Sequence, residues 1–185
     1  MVVGVEERMS RTDWVRAGLS ALSEAGVGEV RIERLAQRLG ITKGSFYWHF
    51  KRRDDLLLSI ISEWERVQTS AVIDAVEATG GAPLAKLRNL SLLVAGFDVK
   101  LETAMRQWAA SDSRARQSVQ RIDRSRLEHI QSVIASAGVP KDQAKLRARL
   151  IYFAFIGEVA FGMSVELKDR PTNTEAIQAL ILRWP

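Results

Sequence analysis

The fold is decided by residues 30–50, which read VRIERLAQRLGITKGSFYWHF. An apolar set at helical spacing comes first: Ile32, Leu35, Ala36 and Leu39. Gly40 suits the left-handed conformation that ends a helix. Only Ile41 separates it from Thr42, a good N-cap, so a second short helix anchored by Phe46 and Phe50 begins almost at once. A helix, a tight glycine turn and another short helix together predict a helix-turn-helix.

The charge of this region points to a polyanionic partner. Residues 34–53 contain six basic side chains and no acidic one, and four aromatic residues lie among them. Basic runs are usually solvated helix faces, but the tight turn favours DNA binding here. The second helix would direct Thr42, Lys43 and Ser45 from its first turn toward base edges or nearby phosphates.

The flanking segments complete a small helical head. Ser10 and Asp13 have the spacing of a capping box that opens a first helix. A longer helix is predicted from about 53 to 78, with Asp54 and Asp55 in its first turn. Residues 79–83 (TGGAP) are the clearest break in the chain. We therefore expect a DNA-binding domain at 8–52, with its motif at about 31–50, and a regulatory and dimerisation domain at 53–185.

The remaining sequence is also helical in its periodicity, so the fold class is all-α. We expect body helices at about 83–97, 99–110, 112–137, 141–166 and 173–184. The helix at 146–167 is apolar almost all round, which indicates burial on more than one side. A basic stretch from Arg114 to Arg126 is interpreted mainly as a solvated face, and His129 as a surface residue.

Composition excludes several classes of protein. The chain has 185 residues, a formal net charge of +5, no cysteine and two histidines. Disulfides, thiolate sites and a three-histidine metal site are therefore excluded within one chain. The sequence has no Gly-x-Ser-x-Gly elbow and no strand-borne phosphate loop, so we expect no enzyme, no metal and no cofactor. Without an export signal or an apolar run of about 20 residues, we expect a cytoplasmic protein with no membrane span.

Three elements of the quoted stretch are typical of one family. The Leu-Ala-x-x-x-Gly turn, the Thr-Lys-Gly-Ser run and the Tyr-Trp-His-Phe run together resemble the tetracycline-repressor (TetR) family of bacterial transcriptional regulators. The resemblance extends over roughly residues 8–60. It implies an all-helical homodimer that binds double-stranded DNA at a palindromic operator. It also implies a repressor that a small-molecule effector, bound in the body, releases from DNA.

The resemblance assigns roles residue by residue. The major-groove set is Thr42, Lys43, Ser45 and Trp48. The phosphate set is Arg11, Tyr47, His49 and Lys51. Arg31 replaces the Thr or Ser that often caps the second helix, so the cap is lost although phosphate is still within reach. Arg52 replaces a similar cap on the long helix. The alternative for His49 is a hydrogen-bonded structural residue.

The body gives weaker signals. Candidate effector-pocket residues are Trp64, Phe97, Met105, Trp108, Tyr152 and Glu158, and each aromatic is equally explained as core. Glu158 interrupts the most apolar helix, so it either selects a cationic or hydrogen-bond-donating ligand or has a structural partner such as an arginine. A C-terminal stripe of Ile177, Leu180, Ile181 and Trp184 predicts a homodimer interface with the 146–167 helix. The alternative function is a helical small-molecule-binding or interaction protein with no operator.

Overall fold

All regular structure is helical in the described part of the chain. The computed structural model describes residues 9–96 and 99–161, with residues 172, 176, 179 and 180. The elements are α1 (Arg11–Ala25), α2 (Ile32–Arg38), a 3-10 helix (Lys43–Trp48), α3 (Arg53–Glu65), a π turn (Arg66–Ser70), α4 (Ala71–Thr79), α5 (Pro83–Ala95), α6 (Val99–Ser111), α7 (Ser113–Ser136) and α8 (Lys141–Phe161). A further 3-10 turn occupies Val27–Glu29. The prediction of an all-α fold is confirmed.

The first helix begins and packs as its sequence predicts. The Asp13 amide donates to Ser10 Oγ, and the Ser10 amide donates to Asp13 Oδ2 at 2.8 Å, which is the expected capping box. The Ser10 hydroxyl also donates to Asp13 Oδ2, at 2.6 Å, and this bond together with that from the Ser10 amide lowers the pKa of Asp13. Gly18 is needed because α1 crosses α3 closely: a Cβ at this position would overlap the Cδ1 atom of Ile60.

The turn between the two short helices depends on Gly40. Its φ of 68° is in the left-handed region, as the sequence predicts. Thr42 is the N-cap of the Lys43–Trp48 helix, but its hydroxyl makes no capping hydrogen bond. That helix is a six-residue 3-10 helix, a tighter and shorter element than the α-helix of an ordinary helix-turn-helix.

The long connecting helix is interrupted. Sequence periodicity predicts one helix from about 53 to 78, whereas the structure has α3, a five-residue π turn and α4 in succession. Gln68 and Thr69 of the π turn are buried. The apolar pattern continues on both sides of the turn, so periodicity alone does not reveal the widened backbone.

Two hydrophobic clusters form the core. The head cluster contains buried residues of α1, α2 and α3, with Phe46 and Phe50, and also residues of α6 and of the first half of α7. The α8 cluster joins α5, the second half of α7 and α8. The predicted C-terminal helix lies largely outside the described residues, and with it Ile177, Ile181 and Trp184. Leu180 is described and is exposed.

Candidate DNA-binding surface

The Lys43–Trp48 helix is fixed to the head by one aromatic side chain and presents the others outward. Phe46 is fully buried, stacks on Phe50 at 5.2 Å and meets Trp14 edge-on at 5.2 Å. On the other side, Tyr47 is 59% exposed and Trp48 is 82% exposed. A buried anchor opposite exposed aromatic side chains is a geometry for contacting a macromolecule, since a solvent-exposed tryptophan is otherwise unfavourable.

The polar residues predicted to face the major groove belong to the same short helix and its N-cap. Thr42 and Lys43 are exposed, and Ser45 is half-buried at the third position of the helix. Lys43 and Lys51 form no ion pair within residues 9–96 and 99–161, so their charge is not neutralised there. By contrast, Arg34 and Arg38 are paired with Glu29 and Glu24.

Three of the predicted phosphate contacts already have partners inside the head. The Arg11 guanidinium donates to Ser59 Oγ at 2.6 Å and lies 4.7 Å from the Phe50 ring centre. Arg31 Nε donates to the Gly28 carbonyl at 2.9 Å. His49 Nε2 lies 2.8 Å from the Met9 carbonyl, so this nitrogen carries the hydrogen. The structural role considered for His49 is therefore present. A phosphate contact by any of the three stays a prediction.

The two departures from the family pattern have the expected consequences. Arg31 is the N-cap of α2 and provides no side-chain capping bond. At the start of α3, the Arg52 amide donates to Asp55 Oδ2 at 3.1 Å, so this end relies on the acidic first turn. Arg53 lies in a basic run of the sequence but has a structural role. Its guanidinium donates to the carbonyls of Val27 and Val30 and so holds the segment before α2.

The candidate effector residues occupy different parts of the core. Trp64, Met105 and Trp108 are buried in the head cluster. Tyr152 belongs to the α8 cluster, Glu158 is half-buried on α8, and Phe97 lies outside the described residues. Arg149 lies 5.4 Å from the Phe153 ring centre, and Glu158 forms no salt bridge within residues 99–161. The effector site remains a prediction.

A buried polar layer in the body is the feature that sequence reasoning missed. Glu102 is 2% exposed and accepts from both Arg106 and Arg126. Arg106 also donates to Asp123, and Tyr152 donates to Asp123 Oδ1 at 2.6 Å. Burial raises the pKa of Tyr152 to about 12. Hydrogen bonds to Asp123 and the nearby Glu102 charge outweigh burial and raise the pKa of Arg106.

The interpretation of the basic stretch as a solvated face holds for Arg116, Arg121 and Arg124, which are exposed, but expectations for two other residues of α7 are wrong. Arg126 is not on a solvated face: its side chain is only 11% exposed, because the π turn and α6 surround it. His129 is not a surface residue either, since its side chain is 10% exposed. A basic run has no periodic signal that distinguishes a buried arginine from its solvated neighbours. The acidic partner, Glu102, is 24 positions away in the sequence.

Comparison with known proteins identifies the head. Residues 15–60 match the family model described as bacterial regulatory proteins, tetR family. Residues 15–60 therefore form a tetR-family domain. The matched range covers most of α1, α2, the Lys43–Trp48 helix and much of α3. In the described residues no helix is long and apolar enough to cross a membrane, and no cluster of acidic or histidine residues is arranged to hold a metal ion.

Curated relatives of the chain are transcriptional regulators. The transcriptional regulator AcuR of Cereibacter sphaeroides is 32% identical over 74 residues, which are 40% of this chain and 34% of AcuR. The HTH-type transcriptional regulator BetI of Pectobacterium atrosepticum is 27% identical over 150 residues, 75% of this chain and 74% of BetI. The chain thus spans about a third of AcuR and about three quarters of BetI.

The fold beyond the tetR-family domain also has solved counterparts. A transcriptional regulator from Saccharomonospora viridis, solved in complex with choline, aligns with a TM-score of 0.73. The alignment covers 91% of this chain and 95% of that chain at 15% identity. At this identity the likeness concerns the fold, which extends through the helical body.

Proposed function

We propose that the chain is a sequence-specific DNA-binding transcriptional regulator, a repressor that a small-molecule effector releases from a palindromic operator. One observation carries the proposal. The helix Lys43–Trp48 is locked into the core by Phe46 and presents Lys43, Tyr47 and Trp48 outward, beside a Lys51 that has no acidic partner among the described residues. Lysine donates to guanine or phosphate, and exposed aromatic side chains contact thymine methyls or the backbone.

The test separates affinity from specificity with a matched pair of lysines. Lys51→Ala should weaken binding to operator and random DNA alike and reduce the salt slope by about one unit. Lys43→Ala should cost about 1–3 kcal/mol on the operator and relax the preference at one base position. Fluorescence anisotropy with operator and scrambled duplexes at several salt concentrations measures both effects. If both variants behave identically on the two duplexes, the groove assignment is wrong.

We infer that the regulator acts as a homodimer through α8. Four large apolar side chains of this helix are at least half exposed: Leu146, Leu150, Phe153 and Phe161. The small residues Ala154, Gly157 and Ala160 follow the same part of the helix and would allow a second helix to approach closely. An isologous α8 contact would place two heads on one duplex, with half-sites about one or more helical turns apart.

We further propose that Glu158 selects a cationic or hydrogen-bond-donating effector. The carboxyl is half-buried on α8 beside the buried Val159, and it forms no salt bridge with any residue from 99 to 161. The Saccharomonospora viridis protein, of similar fold, was solved with choline, which is a cation. A cation in a largely apolar site needs such a counter-charge.

A panel of quaternary ammonium compounds and neutral apolar compounds tests the role of Glu158. Operator release by a cationic compound should be lost or strongly weakened in Glu158→Gln, while release by any neutral compound should be unaffected. If an effector is found whose affinity is unchanged by the substitution while folding stability falls, Glu158 is a structural residue.

A further inference from the structure

The polar layer lies at the boundary between the two hydrophobic clusters. Along α7, Ala115, Val119 and Ile122 belong to the head cluster, and Ile130, Val133 and Ile134 belong to the α8 cluster. Asp123 and Arg126 lie between these two groups. On α6, Glu102 lies two positions before the head-cluster residue Ala104, and Leu101 also packs against that cluster. The π turn follows Trp64, another residue of the head cluster. Along α7 and the α3–α4 connection, the packing therefore changes from apolar to polar at this level.

Arg126 connects three elements at this level. Its Nε donates to Thr69 Oγ1 at 3.0 Å, and its Nη2 donates to the Gln68 carbonyl at 3.1 Å, both in the π turn. Its Nη1 donates to Glu102 Oε1 on α6 at 3.1 Å. The Phe155 ring of α8 lies 5.9 Å from the guanidinium carbon. A single side chain of α7 thus holds the widened part of the connecting helix against α6.

Apolar and polar contacts constrain this boundary differently. Apolar packing is non-directional, whereas charge-assisted hydrogen bonds fix distance and angle. The π turn is the point at which the α3–α4 connection departs from regular α-helical bonding, and such turns are frequent at functional sites. The hydrogen bonds of this layer therefore add directional constraints at the boundary between the two clusters.

We propose that the Arg126 layer is a latch that fixes the head unit against the unit carrying α8. The head unit comprises α1, α2, the Lys43–Trp48 helix, α3, α6 and the first half of α7. The other unit comprises α4, α5, the second half of α7 and α8. Arg126 is a positioning residue: it holds the π turn in the geometry that sets the angle between the DNA-contacting surface and the exposed α8 face. Weakening the latch lets the head tilt.

The same contacts would exist if Arg126 served only to pair the buried Glu102, so the test must report orientation and not stability alone. The chain has no cysteine, so two introduced cysteines are the only thiols available for spin labels. Gln37→Cys on α2 and Ser132→Cys on α7 place labels at exposed positions in the two units. Pulsed electron–electron double resonance measures the distance between the two labels. Dilution of the labelled chain with unlabelled chain ensures that only the distance within one chain is measured.

The informative variants are Arg126→Lys and Thr69→Val. Lysine keeps the charge opposite Glu102 but cannot hold the π turn and α6 together, and valine removes only the hydroxyl that Arg126 Nε contacts. Both should broaden or shift the Gln37–Ser132 distance distribution, with the smaller effect in Thr69→Val. The control is Arg121→Lys, since Arg121 also joins α7 to α3, through Glu65 at 2.6 Å, but outside the layer. Its distribution should match that of the parent chain.

An unchanged distribution in folded Arg126→Lys overturns the latch. If that variant does not fold, an unchanged distribution in Thr69→Val overturns it equally. Operator affinity is a second readout, which rests on the proposed function, and Arg126→Lys should lower it about tenfold, within the usual range of coupling between sites. Broadened distances in a chain that binds no DNA would support the latch and contradict the proposed function.

Discussion

At the scale of single residues, His129 is a half-buried residue whose ring has an incomplete set of partners. Its Nε2 has no hydrogen-bond partner among the described residues, and its Nδ1 is 3.9 Å from the exposed Glu77. Burial lowers the pKa of His129, and this effect outweighs the attraction of Glu77 because that carboxylate is half exposed to water. The folded chain thus binds a proton at His129 less readily than the unfolded chain does.

A loss of stability on acidification follows. Because the folded-state pKa is the lower one, the contribution of His129 is fully present above the ordinary histidine pKa of 6.5 and is lost as the pH falls through the folded value. Urea unfolding at pH 7.5 and at pH 5.5 should show a decrease in the free energy of unfolding. His129→Gln, which takes up no proton, should reduce that decrease. An equal decrease in the variant would show that other groups are responsible.

Local chemistry was predictable for residues whose role depends on near neighbours. The capping box of Ser10 and Asp13, the left-handed Gly40 and the core positions of Phe46 and Phe50 all follow from spacings of a few residues. Arg126 and Arg53 were not predictable. Each is defined by groups more than 20 positions away in the chain, and a charged side chain carries no periodic mark of burial.

At the scale of elements, the start of α7 depends on Asp112. Its Oδ1 accepts from the amides of Arg114 at 2.8 Å and Ala115 at 3.2 Å, and its Oδ2 accepts from the Arg114 guanidinium at 2.7 Å. The Arg114 hydrogen bond is the main cause that lowers the pKa of Asp112 well below the usual aspartate range. This cap opens the longest helix in the described part of the chain, the one that passes through both clusters.

Removal of this cap should destabilise the whole chain. Asp112→Ala should lower the free energy of unfolding by about 0.5–2 kcal/mol, the usual range for a lost N-cap. Asp112→Asn keeps an acceptor for the two amides and should lower it less. The carboxylate contribution is fully present above the ordinary aspartate pKa and is lost as the pH falls through the lower folded-state pKa, so the difference between wild type and Asp112→Asn should shrink in strong acid. A cost of Asp112→Asn that is independent of pH would contradict this role of the charge.

Helix existence was predictable and helix type was not. Apolar periodicity correctly placed a helix in each described region, because burial of one face imposes that pattern. The 3-10 helix Lys43–Trp48 and the π turn Arg66–Ser70 differ from an α-helix in the span of their backbone hydrogen bonds. The bonds span three residues in a 3-10 helix, four in an α-helix and five in a π helix. Over five or six residues this difference hardly changes the spacing of the apolar residues, so the sequence pattern does not reveal the helix type.

At the scale of the whole molecule, the exposed face of α8 should control assembly. Leu150 and Phe153 are 53% and 51% exposed, and both lie on the proposed dimer face. Leu150→Glu and Phe153→Glu would place charge at an apolar contact and should convert the dimer to a monomer. Sedimentation velocity at micromolar concentration measures the change.

Leu92→Glu provides the matched control for these two variants. Leu92 is similarly exposed at 44% but lies on α5, away from the proposed dimer face. This control should leave the dimer intact. A monomeric wild-type chain, or α8 variants that sediment as dimers, would contradict the proposed assembly.

The exposure of Trp48 also allows DNA binding to be followed by the intrinsic tryptophan fluorescence of the chain. Of the five tryptophans, Trp14, Trp64 and Trp108 are buried, whereas Trp48 is 82% exposed. A collisional quencher such as iodide should therefore reach Trp48 far more readily than these three indoles, and docking on a duplex should shield it. Titration of DNA into unlabelled protein, followed by intrinsic emission with and without iodide, would then report contact at the Lys43–Trp48 helix, with Trp48→Phe as the silent reference.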